Sequence, residues 1–369
     1  LAFDYFGGAP GAFEQVQCQE PRSFSRQEEQ MNFSRPGRRL ALIAAAVLAT
    51  GTTPAMAQGK GETLKISDAA GTGNLLARVA IAKGYCEHAG IKCELVNFAS
   101  GPMITQALLA KSIDVGFAGS ENVIQSVNHG FKVQIVAGGW VTGPVALVVG
   151  SDVATPNAGK PFPAWVADLK GKKIGVFARG APVENMMNII LDKGGLKPAD
   201  VTYVAVGGPV TAFAALANKQ IDAAINIEPI SSMCAISKKC ATVWALANDK
   251  EPTELYAMNG AAIVSYMRSE AVADKPQVLE AFINAMSAAS KFAQDPANFE
   301  EVVAITEKYF RLEIPGGDAI VRDALKRVIP GAKVDVDRGA LQATVDYMLL
   351  SKTLEKPIDI KALLYSKAL

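Results

Sequence analysis

ALLAKSID (Ala107–Asp114) recurs as ALANKQID (Ala215–Asp222), 108 residues further along the chain. The shared A-L-x-x-K-x-I-D frame is in register with a larger repeat. Leu64–Phe98 (LKISDAAGTGNLLARVAIAKGYCEHAGIKCELVNF) and Lys172–Val206 (KKIGVFARGAPVENMMNIILDKGGLKPADVTYVAV) each read as strand, glycine-rich turn, helix, strand. They align without a gap at the same offset, so Lys65-Ile66 matches Lys173-Ile174 and Val96 matches Val204. The third strands, IDVGFAG (Ile113–Gly119) and IDAAINI (Ile221–Ile227), have the continuous apolar character of buried parallel strands. Alternating strands and helices are the pattern of a parallel sheet covered by helices. Two similar α/β lobes are therefore expected.

Working outward, VALVVG (Val145–Gly150) and GAAIVSY (Gly260–Tyr266) flank the second lobe as further strands. They are expected to carry the chain out of the first lobe and back. After Tyr266 apolar residues recur at helical spacing, as in Val278, Phe282, Ala285, Met286 and Ala289. These helices have no sheet of their own and are expected to pack back on the first lobe. The expected organisation is residues 58–149 for the first part of lobe one, 150–262 for lobe two and 263–369 for the return.

The first 57 residues read differently. Residues 1–30 show neither helical nor strand periodicity and are expected to be an upstream extension that is not native to the working protein. From Met31, the basic residues Arg35, Arg38 and Arg39 precede the apolar run Leu40–Ala49, and the small-x-small site Ala55-Met56-Ala57 follows. This is the pattern of a cleavable signal peptide over 31–57, with cleavage expected before Gln58. An apolar run of ten residues is too short for a bilayer core, which needs roughly 20. No cysteine follows the cleavage site, so a lipid anchor is not expected.

Composition narrows the function. The chain carries 37 basic against 36 acidic residues, and half of its 369 residues are hydrophobic. A near-neutral balance lacks the basic surplus a nucleic-acid binder needs to neutralise phosphates. Only His88 and His129 supply imidazoles, which argues against a multi-histidine metal site and leaves little for hydrolase chemistry. No metal and no cofactor are expected. Four cysteines remain beyond the presequence, in two local pairs, Cys86 with Cys93 and Cys234 with Cys240. Close spacing in an exported chain favours disulfides, and local pairing is least costly in loop closure. Zinc is the competing reading, although neither pair has short zinc-ligand spacing.

In open α/β sheets, ligands bind beyond the carboxyl ends of the strands, where loops meet helix N-termini. The rule nominates Asp68, Gly71, Thr72, Ser100, Gly101, Ser120 and Glu121 in the first lobe. In the second it nominates Arg179, Gly180, Ala181, Gly208 and Glu228. Ser120 and Glu228 are equivalent under the repeat, as are Gly71 and Arg179. Trp140 and Thr142 precede the crossing and are expected to supply an aromatic wall. Taken singly, each glycine could serve only a turn, and Ser120 only a helix N-cap.

FASGPMITQALLAKSIDVGFAGSEN (Phe98–Asn122), DLKGKKIGV (Asp168–Val176), VGGPVTAFAAL (Val206–Leu216) and IDAAINIEP (Ile221–Pro229), together with the export signal, resemble one family. It is the nitrate/sulfonate/taurine branch of ABC-transporter solute-binding proteins, the thiamine-precursor-synthase-like group. The resemblance spans Gln58–Leu369 and is looser in the C-terminal helices. It implies the periplasmic-binding type II fold, with two α/β lobes, a two-strand hinge and a ligand cleft between them. It also implies capture of a small polar or anionic organic solute, of the sulfonate, taurine or nitrate class, by lobe closure of a monomer in the periplasm, and delivery to a membrane permease with a separate ATPase subunit. Sulfonate binders carry glycine followed by serines at the first helix of the second lobe. Here Arg179-Gly180-Ala181-Pro182 lacks those hydroxyls, although Arg179 could offer a charged fork to an anion. Asp68, Glu121 and Glu228 pull toward a ligand with donor groups.

Two enzymatic readings compete. Gly71-Thr72-Gly73 lies between a strand and a helix, but Leu76 stands where a dinucleotide fingerprint wants a third glycine. Thiamine-pyrimidine synthases, similar in architecture, carry a cysteine-dense segment after the Glu-Pro element. Here Ile230–Cys240 has its two cysteines spread apart.

Overall fold

The computed structural model describes residues 61–365 apart from Ala70 and Ala99. The expected upstream extension, signal peptide and cleavage before Gln58 lie outside the described residues.

Among the described residues, ten strands make two sheets of the same plan. The strands are β1 (Thr63–Asp68), β2 (Lys92–Asn97), β3 (Gly116–Gly119), β4 (Val133–Trp140) and β5 (Val145–Gly150), followed by β6 (Lys173–Val176), β7 (Thr202–Ala205), β8 (Ala223–Ile227), β9 (Cys240–Ala245) and β10 (Ile263–Arg268). The second sheet runs β7-β6-β8-β5-β9. In the first, β1 pairs with β2, β10 lies between β3 and β4, and a parallel bridge from Ile66 to Val115 joins the two parts. Its order is therefore β2-β1-β3-β10-β4. Each sheet holds one antiparallel strand, β10 in the first and β5 in the second.

The repeated octapeptide performs the same task in both lobes. Helix Gly101–Leu109 ends as Lys111 turns left-handed at φ 61° and Ser112 N–H donates to Ala107 O. Helix Pro209–Ala217 ends with Lys219 at φ 58° and Gln220 N–H donating to Ala215 O. Such a left-handed turn satisfies carbonyls that a helix end leaves open. The aspartate then accepts from the first strand of its lobe. Lys65 N–H donates to Asp114 Oδ2 at 2.9 Å, and Lys173 N–H donates to Asp222 Oδ2 at 2.7 Å. Apolar alanine and leucine bury the helix, lysine faces water through the turn, and aspartate seats the next strand.

The chain leaves the first sheet through Val141–Pro144, and β5 is already inside the second sheet, paired with β8 and β9. The expected boundary at 149/150 therefore moves back to this crossing, because all of Val145–Gly150 is hydrogen-bonded in the second sheet. The return pass ends at Ile263, where β10 enters the first sheet. Asn259 ties the two passes together: Gly143 N–H donates to its Oδ1 at 2.7 Å, and its Nδ2 donates to Leu246 O and Tyr256 O. A Cβ at Gly143 would lie 2.2 Å from Leu246 Cδ2, so any larger residue there would force the buried Leu246 side chain to move.

Of the C-terminal helices, Pro276–Gln294 and Phe299–Tyr309 pack on Leu75–Ala82 of the first lobe. The later two do not follow the expectation of packing on the first lobe alone. Gly317–Val328 touches Ile230–Ser237, and Arg338–Leu350 touches Thr253–Tyr256 as well as Ser120–Asn128. Tyr347 Oη also donates to Pro182 O at 3.1 Å. Their buried faces, led by Ile320 and Leu325 and by Leu341, Val345 and Met348, are wide enough to serve both lobes.

Disulfides join Cys86 to Cys93 and Cys234 to Cys240, setting zinc aside at both pairs. Among the described residues, no group of three or more His, Cys, Asp or Glu side chains could hold a metal ion. None of the described helices is long and apolar enough to cross a membrane.

Candidate functional site between the lobes

A cavity of about 180 Å³ lies where the lobes meet at the crossing. Strand β3 runs into Gly119, and Ser120 N–H donates to Ala262 O at 3.0 Å as the chain turns into helix Ser120–Asn128. Glu121, in the first turn of that helix, lines the cavity. Gly143, Pro144 and Val145 form one wall, and Ile227 at the end of β8 forms another. Val183 and Met186 come from the first turns of helix Pro182–Lys193, Leu246 and Met258 from the return pass, and Thr344 from Arg338–Leu350. The surface is largely hydrocarbon.

Glu121 is the exception. The residue is half-buried, but its Oε1 is enclosed and has no hydrogen-bond partner. Burial pushes its carboxyl up to about 7. A helix N-terminus ordinarily favours a carboxylate by a fraction of a kcal/mol to about 1 kcal/mol. Loss of water outweighs that here, because desolvation disfavours the charged form. Tyr347 is pushed up by its own burial and, secondarily, by the charge of Glu121.

The other side of the crossing opens on a second chamber of about 300 Å³. Trp140, Thr142 and Glu228 meet there with Asn248, Lys326 and Arg327. Burial raises the Glu228 carboxyl, opposed by the Ser231 hydrogen bond and the charge of Arg327. This chamber is polar and carries both signs of charge. Gly143–Val145 lines both spaces.

The nominated residues thus separate into three groups. Ser120 and Glu121 share the apolar cavity, and Trp140, Thr142 and Glu228 share the polar chamber. Asp68, Gly71, Thr72, Ser100, Gly101, Arg179, Gly180, Ala181 and Gly208 line neither. Asp68 is locked to Arg78, whose Nε and Nη2 donate to the two carboxylate oxygens at 3.0 Å each. Arg78 also donates to Gly71 O and Ala69 O, so the pair pins the loop. Gly71 sits at φ +107°, a conformation that favours glycine. Thr72 is buried, and its Oγ1 has no partner. Arg179 is not an open fork: Nε and Nη2 donate to Glu184, which also accepts from Gly180 N–H at 2.8 Å. Ser100 and Gly101 start helix Gly101–Leu109, Ala181 precedes Pro182–Lys193, and Gly208 precedes Pro209–Ala217. Ser120 makes no side-chain cap.

Beyond these, exposed apolar side chains stand at the same strand ends: Phe177, Val210 and Ile227 in the second lobe and Met103 in the first. A larger recess of about 750 Å³ lies on the second lobe between residues 149–165 and β9. None of the nominated residues lines it.

With this geometry in place, relatives decide the family. Residues 76–298, more than half of the chain, match the family model described as NMT1/THI5 like. The chain belongs to the NMT1/THI5-like family. A relative in Brucella abortus (strain 2308), which carries the name of a binding protein, is 29% identical over 296 residues, covering 78% of this chain and 85% of its own. The periplasmic aliphatic sulphonate binding protein SsuA from Escherichia coli superposes with a TM-score of 0.63 at 21% identity, covering 83% of this chain and 98% of its own. The desulfurization enzyme DSZB gives a TM-score of 0.58 at 17% identity, covering 83% of this chain and 97% of its own. The NMT1/THI5-like chain thus has the periplasmic-binding type II fold, on which both a binding protein and an enzyme are built.

Met186, Met258, Thr344, Lys326 and Arg327 were not nominated from sequence. Met186 and Thr344 sit on the buried faces of their helices, where periodicity alone reads them as core. The exposed Phe177 and Val210, adjoining nominated loops, carried the legible signal: large apolar residues where turn chemistry alone wants polar ones.

Proposed function

We propose that this protein is the extracytoplasmic solute-binding component of an ABC importer. It captures a small organic solute between its lobes and delivers it, as a monomer, to a membrane permease with a separate ATPase subunit. The observation that carries the reading is the cavity shared by both lobes, lined by Glu121, whose Oε1 is enclosed without a partner. An enclosed polar group of this kind gains free energy when a ligand supplies the missing hydrogen bond. The family and the names of its relatives support the same reading. Export follows from residues 31–57, with cleavage before Gln58, and mass spectrometry of the mature protein retaining Met31 would contradict that step.

Closure of the lobes about Val141–Pro144 and the return pass would bury the solute and present a different surface to the permease. Only a solute with greater affinity for the closed form can drive that change. Catalysis is not the favoured reading: all four cysteines among the described residues are in disulfides, and neither histidine lines the cavity. The test is a thermal-shift screen of amines, zwitterions, sulfonates and nitrate, followed by small-angle scattering. A true ligand at 100 times its Kd stabilises by about 2.7 kcal/mol and reduces the radius of gyration. No stabilisation by any class, or chemical turnover of a bound compound, would contradict capture.

A further inference from the structure

The chemistry of the apolar cavity restricts the solute. Its space is about 180 Å³, and a dry cavity of roughly 150 Å³ accommodates benzene. The part of the solute that enters is thus ring-sized and compact. Val183, Met186, Ile227, Leu246, Met258 and Ile263 offer it hydrocarbon contact. The polar demand is concentrated at one atom, Glu121 Oε1, enclosed and without a partner.

No lysine, arginine or histidine is among the residues lining this cavity. The charged and titratable groups on the elements around it are engaged elsewhere or lie outside its lining. Arg179 is bound to Glu184 ahead of helix Pro182–Lys193, and Lys193 at its far end pairs with Glu254. Tyr266 on β10 shares a hydrogen bond with Thr105, and Arg268 donates to Leu108 O and Ile113 O at the far end of the strand. On helix Arg338–Leu350, Tyr347 donates to Pro182 O, and Arg338, Asp346 and Tyr347 lie outside the cavity lining. A sulfonate or nitrate placed there would meet a carboxylate with no cation to offset it. A protonated amine would complete an ion pair and satisfy Oε1 at once.

We infer that the solute is a compact apolar cation, a protonated amine or amidine whose N–H group binds Glu121 while its hydrocarbon body fills the cavity. This rests on the capture reading above and assigns its substrate class. The acidity of Glu121 adds a signature. Its carboxyl titrates at about 7 in the empty protein, so an arriving cation must bind the ionised form. Affinity should therefore fall as pH falls below 7.

The experiment compares three probes of similar size by calorimetry at pH 8 and pH 6: benzylamine, benzyl alcohol and benzenesulfonate. Benzylamine should bind best and weaken about tenfold from pH 8 to pH 6, the loss of ionised carboxyl for a group titrating near 7. Glu121→Gln should weaken benzylamine tenfold or more at pH 8 and remove the pH dependence. A melting curve checks that the variant is no less stable than the parent. Absence of benzylamine binding at millimolar concentration, a preference for benzenesulfonate, or indifference to Glu121→Gln would each overturn the inference. Scattering separates the two failures: compaction by a sulfonate leaves capture standing and removes the cation, whereas no compaction by any class removes both.

Discussion

The carboxylates at the strand ends of the two lobes differ in how they are partnered. In the first lobe Asp68 and Arg78 form an ion pair with side chains 2% and 1% exposed, and Glu121 Oε1 is enclosed without a partner. In the second lobe Arg179, 60% exposed, pairs with Glu184, and Glu228 accepts from the Ser231 amide. The repeat places these loops at corresponding positions and both lobes bury carboxylates, but Arg78 is buried with Asp68 whereas Arg179 reaches water. The same backbone plan therefore supports a carboxylate with an unpaired oxygen on one side of the crossing and a hydrogen-bonded one on the other. Discrimination is assigned to the Glu121 side, because there an enclosed, unpaired oxygen belongs to a residue lining the cavity between the lobes.

The largest expected effect separates the two ion pairs. Arg78→Ala leaves Asp68 buried without its partner and also frees Gly71 O and Ala69 O, so it should destabilise by about 3–5 kcal/mol. A shift in the denaturant midpoint measures this, and a loss below 1 kcal/mol would erase the distinction between the lobes.

The second effect is linked to pH. Glu121 is raised from 4.5 to about 7 in the folded protein. Between those values the folded state holds a proton that the unfolded state has released, so stability falls as pH rises through the window, by up to about 3 kcal/mol. Glu121→Gln should remove that slope and make the empty protein more stable than the parent at pH 8. Glu228→Gln should change the slope less, because Ser231 and Arg327 already oppose the upward shift. Equal slopes for the two variants would break the comparison.

A third effect lies on the boundary between the walls. Asn259→Ala leaves Gly143 N–H and the carbonyls of Leu246 and Tyr256 without their partner. A loss of about 1–3 kcal/mol is expected from chemical denaturation. No measurable loss would mean that Asn259 does not fasten the crossing.

The smallest effect completes the first. Arg179→Ala removes a partner that is 60% exposed from the buried Glu184, which keeps its bond from Gly180 N–H, and should cost about 1 kcal/mol. A loss comparable to that of Arg78→Ala would show that both lobes depend equally on their strand-end charge.

The architecture was legible because the repeat combines local devices with distant pairing. Lys111 and Lys219 turn their helices, Asp114 and Asp222 seat their strands, and the offset between them locates a second sheet. The boundary at 149/150 was not legible, since VALVVG reads as a strand wherever it pairs; only β8 and β9 decide that it belongs to the second sheet. For the site, strand-end logic nominated Ser120, Glu121, Trp140, Thr142 and Glu228 but could not divide them between two chambers. That division is made by Gly143–Val145, which contributes glycine, proline and backbone. Asp68 and Arg179 were nominated for their charge, and their partners Arg78 and Glu184 lie on helices where sequence shows only a polar residue in an apolar run. Thr344 and Met258 reach the cavity through tertiary packing that no local pattern encodes.

The most direct measurement is a crystal structure of the protein saturated with benzylamine. The nitrogen should lie within hydrogen-bond distance of Glu121 Oε1, with the ring among Val183, Met186, Leu246 and Met258. Electron density for the amine in the chamber of Trp140, Glu228 and Arg327, or in the recess beside β9, with the Glu121 cavity empty, would contradict the account.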